Sequence, residues 1–202
     1  MSEKPENPEI NKTESEQNDE QNLLNSFLNW LKEWLIAIAL GLALFAFLRT
    51  FVFRLADVNG SSMEPTLSHG DFILLDRTRY LWSSPRIGDM IAFPFAANPQ
   101  EYFMKRIIGV PGDVIDFNGV AFTSNGVPYD YWFEQSRVER LGDVVFPIVL
   151  KEDQYFVIGD NINVSQDSRF TNVGLISSSD MIGRAVFRIW PLSRFGRIEE
   201  RR

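Results

Sequence analysis

Three short stretches of this chain carry the residue types that could do chemistry together. The first is Val58-Asn59-Gly60-Ser61-Ser62-Met63-Glu64-Pro65-Thr66-Leu67, which suits an exposed turn better than a strand interior. Gly60 allows close backbone approach, and Pro65 fixes φ and removes a donor just after Ser62 and Met63. Taken alone, a serine in such a segment is a turn former. The second stretch, about forty residues on, is Tyr102-Phe103-Met104-Lys105-Arg106-Ile107-Ile108-Gly109. As a strand, its period of two puts Phe103, Lys105 and Ile107 on one face and Met104, Arg106 and Ile108 on the other. A lysine beside a sheet usually ends in water. One held between Phe and Ile is desolvated, which disfavours its charge and lowers its pKa. To be half neutral near pH 8 it must fall by about 2.4 units, roughly 3.3 kcal/mol. A neutral lysine can take the proton of a serine hydroxyl, so Ser62 and Lys105 form a candidate nucleophile and base.

The third stretch runs from Gly159-Asp160-Asn161 to Ser165-Gln166-Asp167-Ser168-Arg169. By itself it reads as a loop closing on its own backbone. Beside a neutral lysine it gains a second reading. Ser165 then hydrogen-bonds the amine without charging it, and Asp167 pairs with Arg169 to hold the loop. The single histidine, His69 in Ser-His-Gly, reads as an exposed turn residue, leaving Lys105 as the base for Ser62.

The elements that must position these groups follow from hydropathy. Residues 1–22 are Glu, Asn, Gln, Ser and Pro with few apolar residues, and composition predicts a disordered acidic tail. Residues 23–54 predict a membrane anchor. Helically spaced Leu23, Leu24, Phe27, Leu28, Trp30 and Leu31 lead into 34–53, twenty positions with one charge. Such a segment makes about 30 Å of helix, enough for a bilayer. The acidic start and bulky Phe51 and Phe53 argue against a cleaved signal peptide. From residue 55 to 202 the signals are β: 71–76, 90–93, 155–158 and 185–190 are short apolar runs bounded by turn residues. Asn118-Gly119 and Asn125-Gly126 mark hairpins within a peripheral insertion at about 117–150. The predicted fold is mainly β, an antiparallel sheet domain on a single N-terminal transmembrane helix.

Charge and composition exclude several classes. The net charge is −7, and residues 1–33 hold eight acids against three lysines. No basic face offers itself to a phosphate backbone, so a nucleic-acid partner is not expected. Cysteine is absent, and no Gly-rich phosphate loop or metal-ligand cluster is present, so neither cofactor nor metal is expected.

Together the blocks resemble type I signal peptidases, membrane-bound Ser/Lys endopeptidases that remove signal peptides from exported preproteins. Ser62-Met63-Glu64-Pro65-Thr66-Leu67 is similar to the family's nucleophile box and Gly70-Asp71-Phe72-Ile73-Leu74 continues it. Gly88-Asp89-Met90-Ile91-Ala92-Phe93 resembles the next strand. Lys105 to Asp113 resembles the general-base box, residues 159–169 the last box, and Gly183 to Leu192 the closing strand. The resemblance implies Ser62 as nucleophile, Lys105 as general base, Ser165 as the lysine's orienting partner and Asp167 with Arg169 as a structural pair. It implies the Ser62 amide as one oxyanion donor. Some members carry a serine two residues before the nucleophile. Here that position is Gly60, which leaves the second donor to Ser61 or a water. Ile162 and Val164 replace the usual arginine and asparagine, which predicts a rearranged loop. The implied partners are exported preproteins and membrane lipid. An alternative reading is an inactive membrane-anchored β module that binds exported peptides. Basic residues flanking the span, Lys32 before and Arg49 and Arg54 after, place the C-terminal part in the cytoplasm. The resemblance instead implies a single-pass protein of the cell membrane with its catalytic domain on the extracytoplasmic side, and this is the reading adopted. Neither residues nor resemblance specifies an oligomeric state.

Overall fold

The structure, a computed structural model, describes residues 8–96, 98–128 and 138–198. Its chain forms two units, 1–48 and 49–202. The first is a helix, α1 (Pro8–Phe47), continued as a π-helical turn over Leu48–Val52. The stretch Asn25–Val52 is long and apolar enough to cross a membrane. Residues 8–22 are therefore helical where composition predicted a disordered tail. Too little apolar surface to bury does not forbid a helix, because Glu, Gln and Lys are good helix formers and can extend one already begun.

The second unit is built from antiparallel strands. The larger sheet joins β1 (Phe53–Asp57), β2 (Phe72–Asp76), β3 (Met90–Phe95), β4 (Asn98–Gly109), β9 (Phe156–Ile158), β10 (Gly183–Trp190) and β11 (Gly196–Arg197). Its order is β1-β2-β10-β3-β4-β9, with β11 beside β10. A short helical turn, α2 (Arg79–Trp82), connects β2 to β3. The predicted anchor thus ends slightly early, since Phe53 and Arg54 already belong to β1.

The expected insertion at about 117–150 is a second sheet. It comprises β5 (Val114–Phe117), β6 (Phe122–Ser124), β7 (Val127–Pro128) and β8 (Ile148–Val149) in the order β7-β6-β5-β8. It is not loosely appended: Ile115, Phe122 and Leu150 pack with Ile108, Phe156, Ile158 and Ile162 in one buried cluster. Those contacts bury its apolar face against the main sheet, as a small sheet needs for stability. The aromatic run Tyr131-Trp132-Phe133 lies outside the described residues.

Strand alternation assigns the rest of the core. Ile73 and Leu75 of β2 turn inward with Val58, Met63, Leu67, Met90, Met104 and Ala185. The opposite face of the same strands carries Leu55, Phe72, Phe187 and Trp190, all exposed. A third cluster around Ile91, Phe93, Ile107, Tyr155 and Val157 backs β3, β4 and β9.

Candidate active site

Ser62 stands on the turn that follows β1, and the surrounding chain fixes that turn from several sides. Met63 and Leu67 are buried in the core beneath it. Leu67 N–H donates to the Met63 carbonyl at 2.8 Å and Glu64 N–H to the Ser61 carbonyl at 3.2 Å. Gly60 has φ of +93°, a conformation a side chain would strain, and nothing crowds the space where its Cβ would stand. Its N–H donates to His69 Nδ1 at 3.3 Å, so the exposed histidine is a turn partner.

Lys105 comes from the middle of β4, paired with Ile91 of β3. Its side chain is 3% exposed. Nζ donates to Ser62 Oγ at 2.8 Å and to the Met104 carbonyl at 3.1 Å, and lies 4.9 Å from the centre of the Phe103 ring. Burial pushes its pKa from 10.5 down to about 8, with the Arg169 charge acting in the same direction and Asp167 and Asp160 opposing it. When the amine is neutral the bond reverses, the hydroxyl donating to the nitrogen lone pair. That is the arrangement a general base needs.

The last loop is divided between two duties. Asp167 and Arg169 are fully buried and bonded side to side, Nε to Oδ1 at 2.7 Å and Nη2 to Oδ2 at 2.9 Å. Arg169 also donates to the carbonyls of Arg140, Ile162 and Ser165, while Asp167 accepts the Gly159 N–H at 3.1 Å. Ser165 is buried but does not bond the lysine; its hydroxyl has no hydrogen-bond partner among the described residues. The amine is turned toward Ser62 and the Met104 carbonyl instead. Ile162 fills a core position in place of a charge, and Val164 is exposed at the cleft.

Several residues that hold the site escaped the sequence reading. Asn161 N–H donates to the Ser62 carbonyl at 2.9 Å, and its side-chain amide donates to the Ser61 carbonyl at 3.2 Å. Asp160 accepts from Arg106 twice, at 2.7 and 2.6 Å, and from Thr66 at 2.5 Å. A Cβ on Gly159 would stand 2.2 Å from Ser165 Oγ and 2.4 Å from the Ser62 carbonyl. Beyond the turn, Asp71 is paired with Arg188 and Arg194, and Arg188 also donates to the Thr66 carbonyl. The available signal was Gly159-Asp160-Asn161 closing a strand, since strand ends commonly present such turn residues to a site.

Among the described residues no acceptor faces the Ser62 N–H, and Ser61 Oγ makes no bond within the protein. The amide is thus available to a developing oxyanion. A cleft of about 300 Å³ opens over the pair, walled by residues 56–60 on one side and 101–105 on the other. No cluster of His, Cys, Asp or Glu able to hold a metal occurs among the described residues. The arrangement can activate a hydroxyl for attack on a carbonyl without a metal ligand set.

Comparison with known proteins identifies the family. Residues 31–190 match the family model described as signal peptidase, peptidase S26. The chain is 36% identical to signal peptidase I of Leptolyngbya laminosa over 80% of both chains. It is 31% identical to a probable signal peptidase I-2 of Synechocystis sp. over 80% of this chain and 71% of that one. With signal peptidase IB of Staphylococcus aureus (strain COL) it shares 30% identity over 79% of this chain and 90% of the other. A solved signal peptidase I from Enterococcus faecalis V583, 28% identical, aligns with 50% of this chain and 97% of its own at a TM-score of 0.41. By the extent of these matches, the chain belongs to the signal peptidases, peptidase S26.

Proposed function

We propose that this protein is a membrane-bound serine endopeptidase that removes N-terminal signal peptides from exported preproteins through a Ser62–Lys105 dyad. The observation that carries the reading is the 2.8 Å contact between a desolvated amine and the hydroxyl at the base of an open cleft. Ser62 Oγ attacks the scissile carbonyl as Lys105 Nζ takes its proton. The Ser62 N–H receives the oxyanion, and Lys105 returns the proton to the leaving amine. Water, deprotonated by the same lysine, then releases the acyl group. Asp167, Arg169 and Met63 support the turn and its loop, while Ser165 is buried without a hydrogen bond.

The cleft suits an extended peptide. On one side lies the outer edge of β1, which pairs only with β2. On the other are residues 102–105 of β4, which pair with β3 alone because β9 begins its pairing at Arg106. Two unpaired edges facing one slot offer main-chain groups to an added strand. Ala56, Ala92 and Met104 leave shallow apolar space beside Ser62 for the small residues at −1 and −3.

The apolar helix Asn25–Val52 is the anchor, and the exposed face of Leu55, Phe72, Phe187 and Trp190 suits contact with lipid. The catalytic domain lies on the extracytoplasmic side of the cell membrane, where signal peptides emerge. A cysteine introduced at Glu139 in this cysteine-free chain tests that placement. Labelling of intact cells supports it, and labelling only after permeabilisation refutes it. An inactive peptide-binding module is the weaker reading, because Ile162 is absorbed into the core and leaves the Ser62–Lys105 contact in place.

The deciding experiment incubates the detergent-solubilised protein with a preprotein. A shortened product from the wild type and none from Ser62→Ala or Lys105→Ala supports the reading. Substantial turnover by Ser62→Ala ends it.

A further inference from the structure

Arg54 of β1 and Tyr102 of β4 meet across the slot. Arg54 Nη2 donates to the Tyr102 hydroxyl at 2.9 Å, and the guanidinium carbon stands 4.6 Å from the centre of that ring. In the sheet the two strands are four places apart, so the tie joins edges brought together by the curl of the sheet. Arg54 shares the inner face of β1 with Ala56, and Tyr102 shares a face of β4 with Met104. Tyr102 walls the cleft, and Arg54, bonded to it, shares its strand face with Ala56, which also walls it. Tyr102 is 44% exposed, and the tie is a surface contact that core packing does not require.

Distance along the strand assigns the position. Tyr102 and Lys105 are three positions apart, about 10 Å of extended chain, and a substrate strand advances at the same rate. With the −1 residue at Ser62, the tie stands opposite the residue about four places before the cut. Arg54 offers more than a wall there. Its Nε and Nη1 have no acceptor among the described residues, so two charged N–H donors are left beside Tyr102, which walls the cleft.

Resting on the peptidase reading above, we infer that Arg54, held in place by Tyr102, is a specificity-determining residue that binds the main chain of the substrate about four residues before the scissile bond. Peptides that end at −3 do not reach it, whereas peptides that continue to −6 do. The tie rewards substrate length on the acyl side independently of side-chain identity at that position.

The test compares two peptides sharing one cleavage sequence, one starting at −3 and one at −6, with the full-length protein in detergent. For the wild type, extension raises kcat/KM by about tenfold, the effect of one hydrogen bond from a charged donor. In Arg54→Gln that gain disappears while cleavage of the short peptide stays within about twofold. Tyr102→Phe, which keeps the ring and loses the hydroxyl that orients the guanidinium, keeps part of the gain, as does Arg54→Lys. A purely structural role would slow both peptides equally in every variant, and that result overturns the inference. So does a gain that persists in Arg54→Gln, or a gain that appears only on extending the leaving side. If no peptide is cut in a Ser62-dependent way, it is the peptidase reading that fails.

Discussion

The main-chain amide of Asn161 bonds the carbonyl of Ser62 at 2.9 Å, so the loop that follows β9 grips the Ser62 turn itself. The Asn161 side chain adds a second hold on the Ser61 carbonyl at 3.2 Å. Asn161→Ala keeps the first bond and loses the second. One hydrogen bond at an exposed position contributes about 1 kcal/mol, so we expect kcat to fall about fivefold with little change in thermal stability. Steady-state kinetics beside a melting curve check this. An equal fall in stability would mean that the side chain serves the fold and not the turn.

Gly159→Ala is expected to be far more damaging. Its Cβ would meet the Ser62 carbonyl at 2.4 Å and Ser165 Oγ at 2.2 Å, and a main-chain carbonyl cannot swing aside as a long side chain can. Either the turn moves away from Lys105 or the loop does. We expect activity to fall by more than about a hundredfold, the scale of a nucleophile misplaced by about an ångström. Single-turnover cleavage measures it, and near-normal activity would show that the loop can yield.

Lys105→Met should abolish cleavage and raise stability near neutral pH. The folded-state pKa of about 8 lies below the ordinary 10.5, so between those values the unfolded chain binds more protons than the folded one. Stability therefore rises as pH climbs from about 8 to about 10.5, and at pH 7 the protonated amine is a burden of about 3 kcal/mol. Methionine fills similar volume without that cost. Melting temperature at pH 7 should increase by several degrees, with the advantage shrinking as pH rises from about 8 to about 10.5. A variant less stable than wild type at pH 7 would contradict this account of the amine's burial.

Asp167→Asn leaves the guanidinium of Arg169 buried beside a neutral partner. Both side chains are wholly inaccessible to solvent, and losing one charge of a buried pair costs about 3–5 kcal/mol. We expect a large drop in the urea midpoint, with activity lost together with the fold. An unchanged midpoint would mean that Arg169 is held by its carbonyl partners alone.

The Ser62–Lys105 contact was legible because each residue carries a signal in its own segment, although 43 residues separate them. Period two on β4 put Lys105 between Phe103 and Ile107, and a Gly-Ser-Ser-Met-Glu-Pro segment announces an exposed turn. Asp167 and Arg169 were legible too, being two residues apart. What the sequence concealed lies at long range. Arg106 and Asp160 are 54 residues apart, and Asp71 finds Arg188 and Arg194 more than a hundred residues on. No periodicity in either segment marks such a pair. The curl that sets the β1 edge across from β4, and so joins Arg54 to Tyr102, depends on the whole sheet. Ser165 has the type and position expected of a lysine partner, yet the amine turns to the Met104 carbonyl, a main-chain group that residue types cannot reveal.

The pH dependence of kcat/KM on one preprotein tests the central claim most directly. If Lys105 must be neutral to accept the Ser62 proton, the rate rises about tenfold per pH unit below 8 and levels off above an apparent pKa near 8. A profile that is flat from pH 6 to 10 would contradict it.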